Sequence, residues 1–331
     1  MKALAYESAH PLEAFAVDLV EVDEPRLRDG DVLVEIRAVA VNPGEAFIRS
    51  VRSAEPGGRV ILGWEFAGVV IETGTSATGL TVGDRVMGTG DVTRDGCWAQ
   101  QVAVDHRVVA KIPEQLSFAS AASLPIGALT GWEAMFRDQQ GLPPGVERVL
   151  IVGGAGGVGS LATQLLKART SAFVISTASR PQSQDWCREM GADLVVDHRA
   201  DVRRQLGQAG IDQVDMVLST AGTADNLGWI GALLRPFGHL SAVDLSAPLD
   251  LGPLTQKSVS LHTEMVFSQI SGGADPSTQG RILETICEYV LSGQMRPIVT
   301  TQLTGLTVPN MKTAHTLLER HRTIGKIVIE T

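Results

Sequence analysis

The stretch VLIVGGAGGVGSLATQLLKA, residues 149–168, restricts the fold of this 331-residue chain more than any other segment. Its first residues are apolar, which is typical of a parallel strand that is buried on both faces. After a run of glycines, Leu161, Leu165 and Leu166 recur at helical spacing. The segment therefore predicts a strand, a tight turn and a helix, the repeating unit of a parallel α/β sheet.

The glycines of this turn have the spacing of a dinucleotide-binding motif. Gly154, Gly156 and Gly159 fit the pattern G-x-G-x-x-G. The first glycine allows a sharp turn, the second lets a pyrophosphate approach the backbone, and the third lets helix and strand pack closely. Amide groups at the helix start, those of Gly157 and Val158 among them, would hold the phosphates. We therefore predict that the turn binds a dinucleotide cofactor.

A second β-rich segment, SAFVISTASR (171–180), ends where the adenosine ribose of such a cofactor is expected. An NAD site usually offers an acidic residue to the ribose hydroxyls at this point. This chain has Ser176, Ser179 and Arg180 instead, and hydroxyls with a guanidinium suit a 2′-phosphate. The alternative is a solvated arginine at the start of the next helix. The pattern favours NADPH over NADH.

Strand and helix patterns continue to alternate beyond this point. The segments ADLVVDH, VDMVLSTAG and GHLSAVDL (192–198, 214–222 and 238–245) are typical of further buried strands. The alternation predicts an α/β fold with a Rossmann doubly wound parallel sheet. Ser219 and Val243 lie near the carboxyl ends of two of these strands, where such sheets bind ligands. Each is either a cofactor contact or an ordinary strand-end residue.

The flanking sequence has a different pattern. In the first part of the chain, segments such as GDVLVEIRAVAVNP and FAGVVIETG alternate apolar and polar residues, which indicates short antiparallel strands in a barrel-like domain. The C-terminal part predicts two amphipathic helices and a closing strand. We expect a cofactor domain (124–265) inserted between two parts of a catalytic domain (1–123 and 266–331), with the substrate in the cleft between the domains.

Composition and charge exclude several classes of partner. A formal net charge of -9 disfavours binding to nucleic acid or to an anionic membrane. No apolar run approaches the ~20 residues that span a bilayer, and MKALAYESAH at the N-terminus lacks the apolar core of a signal peptide. Three well-separated cysteines, Cys97, Cys187 and Cys287, suit a reducing compartment. We therefore expect a cytoplasmic protein whose partner is a small molecule.

Six motifs are spread over nearly the whole chain: AVNPGEAFIR (40–49), LGWEFAGVV (62–70), GDRVMG (83–88), AASLPIGALTGWEAM (121–135), VGGAGGVGS (152–160) and TIGKIVIE (323–330). Together they resemble the medium-chain dehydrogenase/reductase superfamily, above all its quinone-oxidoreductase-like branch. The resemblance implies a GroES-like, β-rich catalytic domain, a Rossmann cofactor domain and a homodimer.

Zinc-dependent members of this superfamily hold their catalytic metal with an early cysteine, a His-Glu pair after a glycine, and a later cysteine or acid. Here the early loop AVNPGEAF has no cysteine, Trp64 stands in place of the histidine, and the third region supplies no thiolate. The four closely spaced cysteines of a structural zinc lobe are also missing. An indole N–H donates a hydrogen bond and does not coordinate zinc. We therefore predict no metal site, and we interpret Glu65 as a structural charge partner.

Without a Lewis acid, acceptors that spread developing charge are favoured. When hydride adds to carbon in a quinone or an α,β-unsaturated carbonyl, the charge spreads into a hydroquinone or an enolate, which a few hydrogen-bond donors stabilise. We therefore predict an enzyme that reduces quinones or activated C=C bonds with NADPH, by direct hydride transfer without zinc.

The resemblance assigns candidate residues to that reaction. Asn42 resembles an active-site asparagine, although Asn-Pro is also a common turn opener. Thr130 either lies near the nicotinamide or is a helix-start or packing hydroxyl, and His262 either faces the cleft or is structural. Lys326 resembles a lysine near the cofactor phosphates, with a solvated edge-strand charge as the alternative. Phe47 stands where some quinone reductases carry a tyrosine, which leaves solvent as a proton source.

Two rival functions come from other classes of protein. A zinc-dependent alcohol dehydrogenase is disfavoured by the missing ligands. A non-catalytic NADPH-binding sensor is consistent with the missing tyrosine, because a fold does not by itself determine a function.

Overall fold

The structure, a computed structural model, describes residues 1–137, 141–244 and 248–331. These residues form two compact units. Unit 1 comprises residues 1–126, 267–291 and 296–331, and unit 2 comprises residues 127–266 with 292–295. In chain order, unit 2 is therefore inserted between two parts of unit 1, apart from the short segment 292–295.

The described residues form sixteen strands, numbered in chain order as follows. They are β1 Lys2–Tyr6, β2 Asp18–Glu21, β3 Asp31–Val41, β4 Val60–Ile61, β5 Glu65–Thr73, β6 Arg85–Thr89, β7 Gln101–Asp105, β8 Val109–Lys111, β9 Arg148–Val152, β10 Phe173–Thr177, β11 Leu194–Val196, β12 Val214–Ser219, β13 Leu234–Ala242, β14 Ser260–Thr263, β15 Val299–Thr304 and β16 Lys326–Glu330.

Eleven α-helices of the described residues are numbered in the same way. They are α1 Pro43–Val51, α2 Phe118–Ala122, α3 Pro125–Phe136, α4 Gly157–Arg169, α5 Pro181–Glu189, α6 Val202–Gln208, α7 Thr223–Leu233, α8 Gly252–Thr255, α9 Ser268–Ser271, α10 Ser277–Leu291 and α11 Val308–Glu319. None of these helices has both the length and the apolar character needed to cross a membrane.

Unit 2 is built on a parallel sheet of six strands in the order β11-β10-β9-β12-β13-β14. Strand order reverses beside β9, as in a doubly wound sheet, and the predicted Rossmann fold is confirmed. The central strands are buried because their apolar runs are covered on both faces. The predicted strand 238–245 begins earlier, at Leu234, and ends at Ala242, while Leu245 lies outside the described residues.

The sixth strand of this sheet, β14, is absent from the sequence-based interpretation. It pairs in parallel with β13 and carries His262, which therefore lies within the sheet. Sequence reasoning missed this strand because its four residues are half-buried or exposed, so they show no apolar run.

Unit 1 contains antiparallel strands, as the alternating pattern predicted. A sheet in the order β15-β16-β3-β5-β6-β8, with β7 also paired to β3, accompanies a smaller sheet in the order β2-β1-β4. The hydrophobic core of unit 1 includes the fully buried side chains of Tyr6, Phe66 and Trp98. Strand β16 lies between β15 and β3, so the interpretation of Lys326 as a solvated edge-strand charge was wrong: its side chain is buried inside the sheet.

Candidate active site

The three glycines of the turn after β9 differ in what surrounds them. A methyl group added at Gly154 would lie 2.6 Å from Cβ of Ser176, and one added at Gly159 would lie 2.4 Å from the carbonyl oxygen of Gly153. Close packing in the protein therefore explains both of these glycines. A methyl group at Gly156 meets only that same carbonyl, at an ordinary 3.5 Å. The open space beside Gly156 is where a dinucleotide pyrophosphate would approach the backbone.

Hydrogen bonds from the neighbouring strand hold this turn in place. The amide of Gly153 donates to Oγ1 of Thr177 (3.1 Å), and the amide of Gly154 donates to the carbonyl oxygen of the same residue (3.2 Å). Helix α4 begins directly after Gly156, so the amides of Gly157 and Val158 belong to a first turn that has no helical acceptors. The turn therefore has N–H groups and the positive end of a helix dipole that suit an anion.

The end of β10 separates the predicted ribose-binding residues into two groups. Ser176 is fully buried and its hydroxyl lies 3.4 Å from that of Thr163, so its side chain faces the interior. Ser179 and Arg180 are half-buried and immediately precede α5, whose first turn contains no acidic residue. The carboxylate expected of an NAD site is thus missing here.

Arg199 is a candidate that sequence reasoning missed. It follows β11, and its guanidinium donates to the carbonyl oxygen of Ser179. Its side chain is 64% exposed and lies 3.5 Å from Asp197. The only sequence signal was its position after the strand ADLVVDH, because β11 and β10 are parallel neighbours and their carboxyl ends meet at one edge of the sheet.

Ser219 and Val243 lie at the carboxyl ends of β12 and β13, as predicted. Their backbones are joined by a bond from the Val243 amide to the Ser219 carbonyl, 3.1 Å long. The Ser219 hydroxyl is buried and accepts a hydrogen bond of 2.7 Å from Thr223, so its side chain has an interior partner.

Thr130, the third candidate in unit 2, is buried within α3.

His262 belongs to a cluster of titratable groups at the end of β14. Its Nε2 lies 3.2 Å from Oε2 of Glu264, whose side chain is only 5% exposed. Burial, together with the adjacent buried carboxyl of Glu133, raises the pKa of Glu264 to about 9. His262 itself is 28% exposed and forms the solvent-facing side of this cluster.

The raised pKa of Glu264 predicts that stability falls with increasing pH. Because the native state holds this proton more tightly than the unfolded state, the free energy of unfolding should fall between about pH 4.5 and about pH 9. One proton contributes a slope of at most about 1.4 kcal/mol per pH unit. Burial also raises the pKa of Glu45, to about 7, and the pKa values of the three cysteine thiols, so Glu264 dominates in the window from about pH 7 to about pH 8, where thiols of the unfolded chain are still mostly protonated. Urea unfolding of Glu264→Gln should show a flatter profile in that window, whereas exposed Glu147→Gln should keep the wild-type slope.

A buried polar network in unit 1 connects Asn42 with two charged residues. The Asn42 amide nitrogen donates to Oε2 of Glu65 at 3.0 Å, and its amide oxygen accepts from Nζ of Lys326. Lys326 and Glu65 also form an ion pair of 2.6 Å, and Oε1 of Glu65 accepts from the amide of Ile126 at 2.8 Å. Glu65 is thus a structural charge partner, as the sequence indicated.

The local fold sets the position of Asn42. The residue begins helix α1, and its own amide donates to the carboxylate of Glu45, which also accepts from the amide of Trp64 at 3.2 Å. Asn42 is therefore a helix-start residue before Pro43, while its side chain is fixed by Glu65 and Lys326. The helix-start interpretation is confirmed, and the active-site role of this asparagine stays a prediction.

These residues do not fit a catalytic zinc. Trp64 is buried, and its indole Nε1 has no hydrogen-bond acceptor within the part of the chain that the structure describes. Within those same ranges, no group of three His, Cys, Asp or Glu side chains is arranged to hold a metal. Cys97 is completely buried, and burial raises the pKa of its thiol, which disfavours the thiolate that zinc requires.

Comparison with known proteins places the chain in a family. The alcohol dehydrogenase GroES-like domain matches residues 28–114, and the zinc-binding dehydrogenase domain matches residues 190–329. A zinc-type alcohol dehydrogenase-like protein of Staphylococcus aureus is 34% identical over 99% of both chains. The chain belongs to the medium-chain dehydrogenase/reductase superfamily. As a member, it is an oxidoreductase for which a nicotinamide cofactor is expected.

Members of the superfamily with different names share this fold. A crystal structure from Rhizobium etli, described as a zinc-dependent alcohol dehydrogenase, is 35% identical with a TM-score of 0.95 and covers 100% of this chain and 98% of its own. The quinone oxidoreductase of Coxiella burnetii is 27% identical with a TM-score of 0.82, and the match covers 100% of this chain and 99% of its own. The 2-methylene-furan-3-one reductase of Solanum lycopersicum is 27% identical over 99% of this chain and 79% of its own.

Proposed function

We propose that this protein reduces activated C=C bonds of α,β-unsaturated carbonyls, or quinones, with NADPH and without a catalytic metal. The observation that carries the proposal is the combination of an open position at Gly156 with Trp64 where a zinc ligand would stand. The names of the Coxiella and Solanum relatives support it. In 2-methylene-furan-3-one the methylene C=C bond is conjugated with a ketone, which is the chemistry expected here.

The residues of the glycine turn would hold the cofactor. The amides of Gly157 and Val158 would donate to its pyrophosphate, and the space beside Gly156 would admit it. When bound, a nicotinamide supplies the hydride. Val243, beside the carboxyl end of β13, belongs to the same proposal as a backbone contact.

Asn42 is the proposed donor in unit 1. Because Lys326 occupies its amide oxygen and Glu65 accepts one of its two N–H groups, the side chain is held in one orientation with one N–H remaining. Such a fixed donor stabilises developing enolate or hydroquinone charge, by ~2.7–4 kcal/mol in well-placed cases. Lys326 therefore acts in this proposal as a positioning residue, because its ammonium group already pairs with Glu65.

In unit 2, Thr130 and His262 remain proposed active-site residues. His262 lies at the carboxyl end of β14, on the half of a doubly wound sheet where the nicotinamide half of a dinucleotide binds. Its contact with Glu264 provides a titratable pair that can exchange a proton with solvent.

Preference for NADPH rests on the arginines at the adenosine end of the sheet. We expect Arg180→Ala and Arg199→Ala each to raise the KM for NADPH about tenfold, which corresponds to ~1.4 kcal/mol, because each removes a charged donor from the 2′-phosphate. The KM for NADH should change less than twofold. Arg188→Ala, on the exposed side of α5, is the matched control. Equal losses for both cofactors in all three variants would contradict the assignment.

One assay separates this function from its rivals. NADPH absorbance is followed with a panel of quinones, enones and simple aldehydes, with and without a chelator. Turnover of enones or quinones that is unaffected by the chelator is the expected result. Chelator-sensitive aldehyde turnover would instead establish a zinc-dependent alcohol dehydrogenase, and tight NADPH binding with no turnover would establish a sensor.

A further inference from the structure

Unit 1 contains a surface depression with an unusual concentration of arginine. Its volume is about 660 Å³, and every residue that lines it belongs to unit 1. Its arginines come from four separate stretches of chain: the loop before β3, the end of α1, the residue before β4 and the loop after β6. They are Arg26, Arg28, Arg52, Arg59 and Arg94. We call this depression the arginine pocket.

Among the described residues, carboxylates balance two of these five charges. Arg94 pairs with Asp31 at 2.8 Å, and Arg59 pairs with Glu7 at 3.0 Å. In residues 1–137, 141–244 and 248–331, the other three guanidinium groups, those of Arg26, Arg28 and Arg52, have no carboxylate partner.

The polar contacts of the pocket leave its positive charge in place. Arg52 donates to the carbonyl oxygen of Val92 at 3.3 Å, a contact that does not neutralise it. Asp95 is the one acidic residue in the lining, and burial raises the pKa of its carboxyl, partly offset by Arg94. The pocket is therefore a positive site on a chain whose net charge is -9.

This arrangement has the chemistry of an anion site. Guanidinium groups bind phosphate oxygens through paired N–H donors, and mutual repulsion among unpaired arginines is relieved when an anion lies between them. The lining also includes the apolar side chains of Val60, Ile61 and Val92, which can contact an uncharged part of a ligand. A volume of 660 Å³ falls within the range of small-molecule sites.

We infer that the arginine pocket is a second ligand site, separate from the glycine turn of unit 2, and that it binds an organic diphosphate such as a nucleoside diphosphate. The diphosphate group contacts Arg26, Arg28 and Arg52, and the organic part lies on the apolar residues of the lining. The occupant is a small molecule, because one pocket on an acidic protein does not provide the extended basic surface that a nucleic acid requires.

Calorimetric titration of the NADPH-saturated protein tests this inference. Saturation blocks the glycine turn, and the Gly156→Val protein without NADPH provides a second background in which that turn is obstructed. Inorganic pyrophosphate and adenosine diphosphate are the two probes. We expect both to bind at one site per chain, with the nucleotide tighter because it also contacts the apolar lining. Binding of pyrophosphate alone would overturn the role of that lining.

Variants locate the site. The double variant Arg26→Ala/Arg28→Ala should weaken pyrophosphate binding at least tenfold while its affinity for NADPH stays at the wild-type value. Arg37→Ala, at an exposed arginine elsewhere in unit 1, should change the affinity for pyrophosphate less than twofold. Absence of pyrophosphate binding in both backgrounds, or equal weakening by the double variant and the control, would overturn the inference. Neither result would affect the proposed reductase activity, which the NADPH assay tests separately.

Discussion

Gly156→Val is expected to raise the Kd for NADPH at least tenfold, a loss of ~1.4 kcal/mol or more, while thermal stability stays close to that of the wild type. Gly156 has φ −75° and ψ 177°, a conformation that any residue adopts, and the space around its Cβ position is open. A Cβ atom therefore has room in the protein, and the valine side chain would intrude on a pyrophosphate bound beside the turn. Fluorescence titration with NADPH measures the affinity, and calorimetry measures the Tm.

Gly159→Ala is the matched comparison in the same turn. Its methyl group would lie 2.4 Å from the carbonyl oxygen of Gly153, so the backbone must shift. We expect this variant to lower the Tm as well as the affinity, since overpacking typically costs ~1–3 kcal/mol. Wild-type NADPH affinity in Gly156→Val would show that the open space is not a cofactor site, and the proposed function would lose its main support.

Glu65→Ala is expected to lower the free energy of unfolding by ~3–5 kcal/mol. Removing this carboxylate leaves the buried ammonium of Lys326 without its 2.6 Å partner. It also deprives the side-chain amide of Asn42 and the backbone amide of Ile126 of an acceptor. Unpaired buried charge is among the most destabilising defects in a protein interior. Urea denaturation at pH 7 measures the loss.

Two further variants distinguish this loss from a general effect of mutating β5. Glu72→Ala changes an exposed carboxylate on the same strand and should alter the free energy of unfolding by less than ~0.5 kcal/mol. The double variant Glu65→Gln/Lys326→Met removes both charges and should recover part of the stability, because no ammonium is then left unpaired. If Glu65→Ala were as mild as Glu72→Ala, the ion pair would have no structural role, and the fixed orientation of Asn42 would need another cause.

Local sequence patterns predicted most of the strands and helices of unit 2. The apolar run before Gly154 and the leucine spacing after it correspond to β9 and α4, because strand and helix periodicities depend only on neighbouring residues. The same reasoning failed for β14. This strand lies at the edge of the sheet, and its four residues are exposed or half-buried, so they form no apolar run. Trp64 could be recognised in the zinc-ligand position from a short motif, since a ligand's chemistry depends on its residue type.

Side-chain partners required the tertiary structure. Lys326 reaches Asn42 across 284 residues of chain, and Arg199 reaches the end of β10 through the pairing of parallel strands. The arginine pocket likewise collects its arginines from four stretches that no spacing connects. By itself, the sequence determined most strands and helices of unit 2, the glycine turn after β9 and the tryptophan at the zinc-ligand position, because these depend on residues close together in the chain. Only the folded chain decided which charges of the described residues pair with one another and which do not, because electrostatic energy depends on distance in space.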